Sequence, residues 1–210
     1  MPQVLKDGVR RRILQGALRA FAADGYERTT MASVAAQAGV GPASIYRYYP
    51  GKEALFAAAV PRAVADGLLR ILRRRVAALA AAVGAGGGAA AMAGADDGGQ
   101  AILRFWLDHR LEVVILLDRA AGTPYAGFGE RFVETLLGLT LDSLRRRGAR
   151  VQAGSPGHLV LRQVFVNTRR ALTAILEAGG DEAAVREAIE AFWSYQLAGL
   201  SALTARLARR

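Results

Sequence analysis

The sequence predicts an all-α protein, an N-terminal three-helix helix-turn-helix head followed by a larger helical body. Three observations carry that reading. Apolar residues recur at helical spacing through the 210-residue chain, and alternating β-branched runs are missing. Gly and Pro punctuate the pattern at short intervals in the first fifty or so residues and at longer ones afterwards. The apolar fraction of 52% is enough for a sizeable core.

The first predicted helix covers 7–23. Val9, Ile13, Ala17 and Phe21 recur every four positions with Leu14 and Leu18 alongside, and Asp24-Gly25 ends it. The second opens on Thr30 as N-cap, carries Met31, Val34, Ala35 and Ala38 on one face and stops at Gly39. Ser33 in place of Glu leaves its capping box incomplete. Gly41 and Pro42 open a third helix over 42–49, closed by Pro50-Gly51. From Lys52 one long helix is predicted to about 82, then a Gly/Ala loop over about 84–99. Helices follow at about 100–120, 127–147, 157–178 and 182–208, the first of them apolar on most sides and therefore buried. The expected division is a head of residues 1–51 and a body of residues 52–210.

Composition narrows the function classes. There is no cysteine, which excludes a disulfide scaffold and thiolate metal sites, and the two histidines, His109 and His158, leave little for a zinc site. No signal-peptide pattern opens the chain. The uncharged run 76–95 is long enough for a membrane span but is mostly Ala and Gly, and Gly84 to Gly88 would break it. A cytoplasmic protein without a membrane partner is expected. No metal cluster, phosphate loop after a strand or nucleophile motif occurs, so neither enzymatic activity nor a cofactor is expected. The net charge is +10. Residues 1–52 hold eight Lys/Arg against three Asp/Glu, and residues 53–210 hold 20 against 15, so a quarter of the chain carries half the excess. That is the footprint expected for a polyanion partner, with solubility as the plainer alternative.

Within the head, Tyr46-Arg47-Tyr48-Tyr49 is the feature to explain. On a helical wheel Ile45 and Tyr49 face the other two helices, Ala43 and Arg47 point away with Ser44 beside them, and Tyr46 and Tyr48 lie on the flanks. An outward Arg47 suits a guanine edge or a phosphate, flanking tyrosines can donate to phosphates, and small Ala43 and Ser44 allow close approach to a groove. Lys52 opens the next helix, where its ammonium and the helix amides can meet a phosphate together. Tyr49, facing inward, reads as packing, and Arg10-Arg11-Arg12 as a solvated face.

The run RRRILQGALRAFAADGYERTTMASVAAQAGVGPASIYRYYPGKEALF resembles the DNA-binding head of the TetR (tetracycline repressor) family. The resemblance lies in Phe21-Ala22, Gly25-Tyr26, Thr29-Thr30, the Ala35 to Val40 turn, Ile45-Tyr46 with Tyr48-Tyr49, and Lys52 to Leu55. It implies a homodimeric transcription regulator, usually a repressor, that binds a double-stranded operator and leaves it when the body takes up a small-molecule effector. The DNA-contacting set it suggests is Thr30, Gly41, Ala43, Ser44, Tyr46, Arg47, Tyr48 and Lys52. Two departures stand out. Gly41 occupies the usual Ser or Thr position, and Tyr48-Tyr49 replaces a His-Phe pair.

In the body, a stripe on 182–208 reads as intrachain core or subunit seam, and the resemblance favours the seam: Ile189, Phe192, Trp193, Gln196, Leu200 and Leu203. An effector pocket is expected among helices 100–120, 127–147 and 157–178, with Phe105, Trp106, His109, Tyr125, Phe128, Phe132, Phe165, Asn167 and Arg169 as candidate lining residues. Such a pocket should exceed about 300 Å³, and an unbroken helix over 52–82 would link it to the head. An architectural DNA binder and a small helical enzyme are the competing classes.

Overall fold

The computed structural model describes residues 2–84, 97–178 and 180–209. Every regular element among them is helical: α1 (Pro2–Arg28), α2 (Met31–Ala38), α3 (Pro42–Ile45), α4 (Lys52–Ala59), α5 (Arg62–Gly84), α6 (Asp97–Asp108), α7 (Arg110–Val114), a π-helical turn (Ile115–Arg119), α8 (Phe128–Arg146), α9 (Pro156–Glu177) and α10 (Glu182–Ala208). The all-α expectation holds for the described residues. Of the loop expected over 84–99, residues 85–96 lie outside them, and 97–99 are already helical. No described helix is long and apolar enough to cross a membrane.

The chain packs as two compact units, residues 1–66 with 111–129, and residues 67–110 with 130–210. In the first, α1 runs as a regular helix to Gly25, whose φ of 78° and ψ of 161° kink it before one further turn. A β-carbon disfavours that conformation, which is why glycine stands there. Buried Thr29 bridges the kink, its hydroxyl donating to Gly25 O at 2.7 Å with Ala20 O at 3.2 Å. Ile13, Ala17, Phe21, Val34, Ile45 and Leu55 form the core, and the rings of Phe21, Tyr26 and Phe56 pack at 5.1–5.7 Å between centroids. A β-carbon on Gly16 would lie 3.1 Å from Ala38 N, so α1 and α2 meet at van der Waals distance there.

Four local readings change. The capping box of α2 is complete, because the Ser33 hydroxyl is long enough to accept from Thr30 N (3.1 Å) while Thr30 Oγ1 accepts from Ser33 N (3.0 Å). Regular helix in α3 ends at Ile45, and Tyr46–Tyr48 continue as a turn. The helix expected over 52–82 is two helices. Val60 leaves the helical region (φ −120°, ψ 76°) ahead of Pro61, which disfavours α geometry in the residue before it and supplies no N–H. The helix expected over 100–120 breaks at His109 into α6 and α7, then widens into the π-turn. Residues 111–119 belong to the first unit, where Val113 to Leu117 are almost wholly buried and Arg119 Nε donates to Ala22 O at 3.2 Å.

In the second unit, Leu68 and Leu72 of α5, Ile102, Leu103 and Trp106 of α6, Phe132 and Leu144 of α8, and Leu161, Phe165 and Leu172 of α9 make the core. Side chains cap the last two helices. Ser155 Oγ accepts from His158 N at 3.3 Å ahead of Pro156, and Asp181 Oδ1 accepts from Ala184 N at 2.8 Å. Of α10's 27 residues only Val185 and Ile189 are buried, so its long apolar stripe is left partly open.

Candidate nucleic-acid interface and body cavity

The α3 turn is a short piece of backbone held by two anchors. Ile45 is fully buried and Tyr49 is 3% exposed, so the two inward positions of the wheel are the ones the core takes. The turn keeps near-helical geometry past Ile45 because Tyr48 N and Tyr49 N both donate to Ile45 O at 3.0 Å. Ala43, Tyr46 and Arg47 are exposed, Ser44 and Tyr48 half-buried. Arg47 Nη2 donates to Ser44 Oγ at 3.0 Å, which joins the two polar groups on the outward side. Thr30 and Gly41, the N-caps of α2 and α3, are also exposed.

Arg10 enters the site through Tyr49. Its Nε donates to the Tyr49 hydroxyl at 3.3 Å and its guanidinium lies 5.7 Å from the ring centroid. The inward hydroxyl of the Tyr48-Tyr49 pair therefore has its partner. Lys6, Asp7 and Arg10 of α1 share one cleft with Arg47 and Tyr48. Arg10 was read with Arg11 and Arg12 as a solvated face and Lys6 was not singled out; the signal for both was their spacing, since they sit four apart on one side of a helix.

Lys52 takes a different place from the one its position at the start of α4 suggests. Its ammonium donates to three carbonyls, Tyr26 O (2.9 Å), Thr29 O (3.0 Å) and Glu27 O (3.2 Å), and sits 4.4 Å from the Tyr26 ring centroid. Two of these carbonyls belong to the last turn of α1 and the third to Thr29 just past it, where carbonyls lack intrahelical donors. Burial, with Glu53 adding to it, pushes the Tyr26 phenol above its usual 10.0, so that ring stays neutral beside the ammonium.

The residues expected to line a pocket separate. Trp106, Phe132 and Phe165 line a cavity of about 160 Å³ in the second unit, formed by α5, α6, α8, α9 and α10. It is about half the size anticipated, since large aromatic side chains occupy much of the space. Phe105 packs instead on His109 (4.7 Å between ring centroids), exposed Asn167 accepts from Gln163, and Arg169 is half-buried away from the cavity wall. Tyr125 and Phe128 belong to the first unit, where Tyr125 meets Phe56. Trp193, Gln196 and Leu200 from the stripe on α10 also line the cavity, with Trp193 packed on Trp106 at 5.2 Å and Gln196 Nε2 donating to Thr168 Oγ1 at 2.7 Å. Ile189 is fully buried in its own chain. Phe192 and Leu203 stay half-exposed. Sequence reasoning missed Arg75, a buried cation on the cavity wall, although it falls on the stripe Leu68, Leu72, Leu79 at helical spacing.

Two short helices joined by a left-handed glycine (Gly39, φ 63°), with an anchored turn presenting Arg47 and Tyr46 outward, define a helix-turn-helix DNA-binding head. Residues 13–59 match the family model for bacterial regulatory proteins of the tetR family. No curated protein matches the chain in sequence. Among solved structures it is similar to a protein described as a TetR-family transcriptional regulator from Mesorhizobium loti MAFF303099, at 22% identity over 90% of this chain and 95% of that one, with a TM-score of 0.36. It is also similar to the fatty acid degradation regulator FadR from Bacillus halodurans, at 14% identity over 88% and 97%, with a TM-score of 0.37.

Proposed function

We propose that the protein is a transcriptional repressor that binds a palindromic operator as a homodimer and releases it when a small, mostly apolar ligand enters the body. Residues 1–51 act on DNA and residues 52–210 on the ligand and the second subunit. The observation that carries this reading is the exposed Arg47 and Tyr46 on a turn pinned by Ile45 and Tyr49, inside the segment that matches the tetR family. Arg47 reads a base edge in the major groove, with Ala43 and Ser44 small enough to let it in. Thr30, Gly41, Tyr46 and Tyr48 meet phosphates. Lys6 and Arg10 add charge beside them, and Lys52 holds the shape of the head.

Dimerisation through α9 and α10 is supported by what those helices leave uncovered. Leu159 is 57% exposed, Val160 48% and Tyr195 75%, and Phe192, Leu200 and Leu203 are covered only in part. A second copy buries such a surface by two-fold symmetry. Genomic footprinting with the purified protein tests the reading. An inverted repeat is expected, with affinity falling steeply as salt rises. Displacement by scrambled DNA as effective as by the protected sequence would mark a non-specific architectural binder instead.

A further inference from the structure

The cavity of the second unit carries chemistry that names a ligand class, an inference that rests on the ligand-responsive reading above. Its volume of about 160 Å³ is close to that of an engineered apolar cavity that takes up one benzene. The wall is aromatic and aliphatic, with Trp106, Phe132, Phe165 and Trp193 as its largest members. Flat rings pack well on such a wall.

The polar part of the wall is lopsided. Arg75, 6% exposed, and Arg147 line the cavity, while among the described residues no Asp or Glu does. Arg75 keeps interactions of its own and contributes its charge. Thr168 and Thr204 commit their hydroxyl protons to carbonyls of α9 and α10. Among the described residues, one buried donor on this wall has no partner. Trp106 is 4% exposed, and its Nε1 has no acceptor. A buried N–H without a partner is rare and destabilises the conformation that holds it. That nitrogen is also closed to solvent, and the Trp106 ring packs on Trp193 at 5.2 Å between centroids. A cationic ligand would meet the like charges of Arg75 and Arg147 here. A neutral hydrocarbon would leave the indole N–H as it is.

We infer that the cavity binds a single-ring aromatic carboxylate, with its ring among the aromatic side chains, its charge balanced by Arg75 and Arg147, and one oxygen accepting from Trp106 Nε1 as the tryptophan pair opens.

The chain supplies its own reporter, because its only two tryptophans both line this cavity. Titrating the full-length protein with benzoate, toluene and biphenyl-4-carboxylate while following tryptophan emission tests the assignment. Benzoate is expected to give a saturable change below about 1 mM, at least tenfold tighter than uncharged toluene and the oversized two-ring acid. Arg147→Gln, at the exposed rim, should weaken benzoate about three- to tenfold and leave toluene alone. Trp106→Phe, followed through Trp193, should narrow the gap between benzoate and toluene. Benzoate binding no tighter than toluene, an Arg147→Gln variant with unchanged benzoate affinity, or no saturable change with any probe would overturn the inference. Benzoate binding that leaves operator affinity unaltered would keep the ligand assignment and contradict the regulatory reading on which it rests.

Discussion

Lys52 in the first unit and Trp106 in the second are opposite uses of a polar group. The Lys52 ammonium gives three protons to the end of α1, whereas the Trp106 indole N–H gives none. The head resembles Lys52 throughout. Thr29, Thr30, Ser33 and Tyr49 each satisfy a partner within it, and what is left outward is a small set around Arg47. A surface that must fit a rigid duplex gains from internal polar groups that are already satisfied, because they fix the backbone under it. The cavity keeps space and a buried donor without a partner.

That contrast can be broken residue by residue. Lys52→Met should cost the most. Losing three charge-assisted hydrogen bonds and a cation–π contact at a partly exposed site should lower stability by about 2–3 kcal/mol in urea denaturation. A variant as stable as the parent but with a shallower salt dependence of DNA binding would return Lys52 to the phosphates. Arg47→Ala should do the reverse. Operator binding weakens by about 1–3 kcal/mol, and stability stays within about 0.5 kcal/mol, since its one hydrogen bond within the head is exposed. Thr29→Val keeps the shape and removes the buried hydroxyl that spans the Gly25 kink. It should cost about 1 kcal/mol. The smallest effect is expected at Trp106→Phe. Loss of ring area and removal of an unmet donor oppose each other there, so stability should change by under about 1 kcal/mol. A loss of 3 kcal/mol or more would mean that the indole N–H has an acceptor.

How much was legible in the sequence follows the same divide. The helices of the body fell within a residue or two at 127–147, 157–178 and 182–208, because caps and glycines mark their ends. The inward and outward positions of the α3 turn were also readable. Alternate burial of Ile45 and Tyr49 needs only local periodicity, and it survives although regular helix stops at Ile45. Pro61 was present to announce the break between α4 and α5, and the strong apolar run around it masked the signal. Nothing local announces the break at His109 or the π-turn after it. Those come from sharing one apolar run between two cores, with Trp106 in one and Val113 to Leu117 in the other. Lys52's role was hidden for a similar reason. Its partners lie 23 to 26 positions earlier, beyond any helical period. The seam and pocket candidates on α10 mixed because a wide stripe serves two faces, Ile189 and Trp193 inward, Phe192 and Tyr195 more open.

The central claim is that Arg47, on its pinned turn, reads DNA. Selecting binding sites from a random duplex library with the parent protein and with Arg47→Ala, in parallel, tests it most directly. The account predicts an inverted repeat for the parent, and for the variant the same repeat with base preference lost at one position in each half-site. No enriched sequence for the parent, or an identical motif at full affinity for the variant, would contradict it.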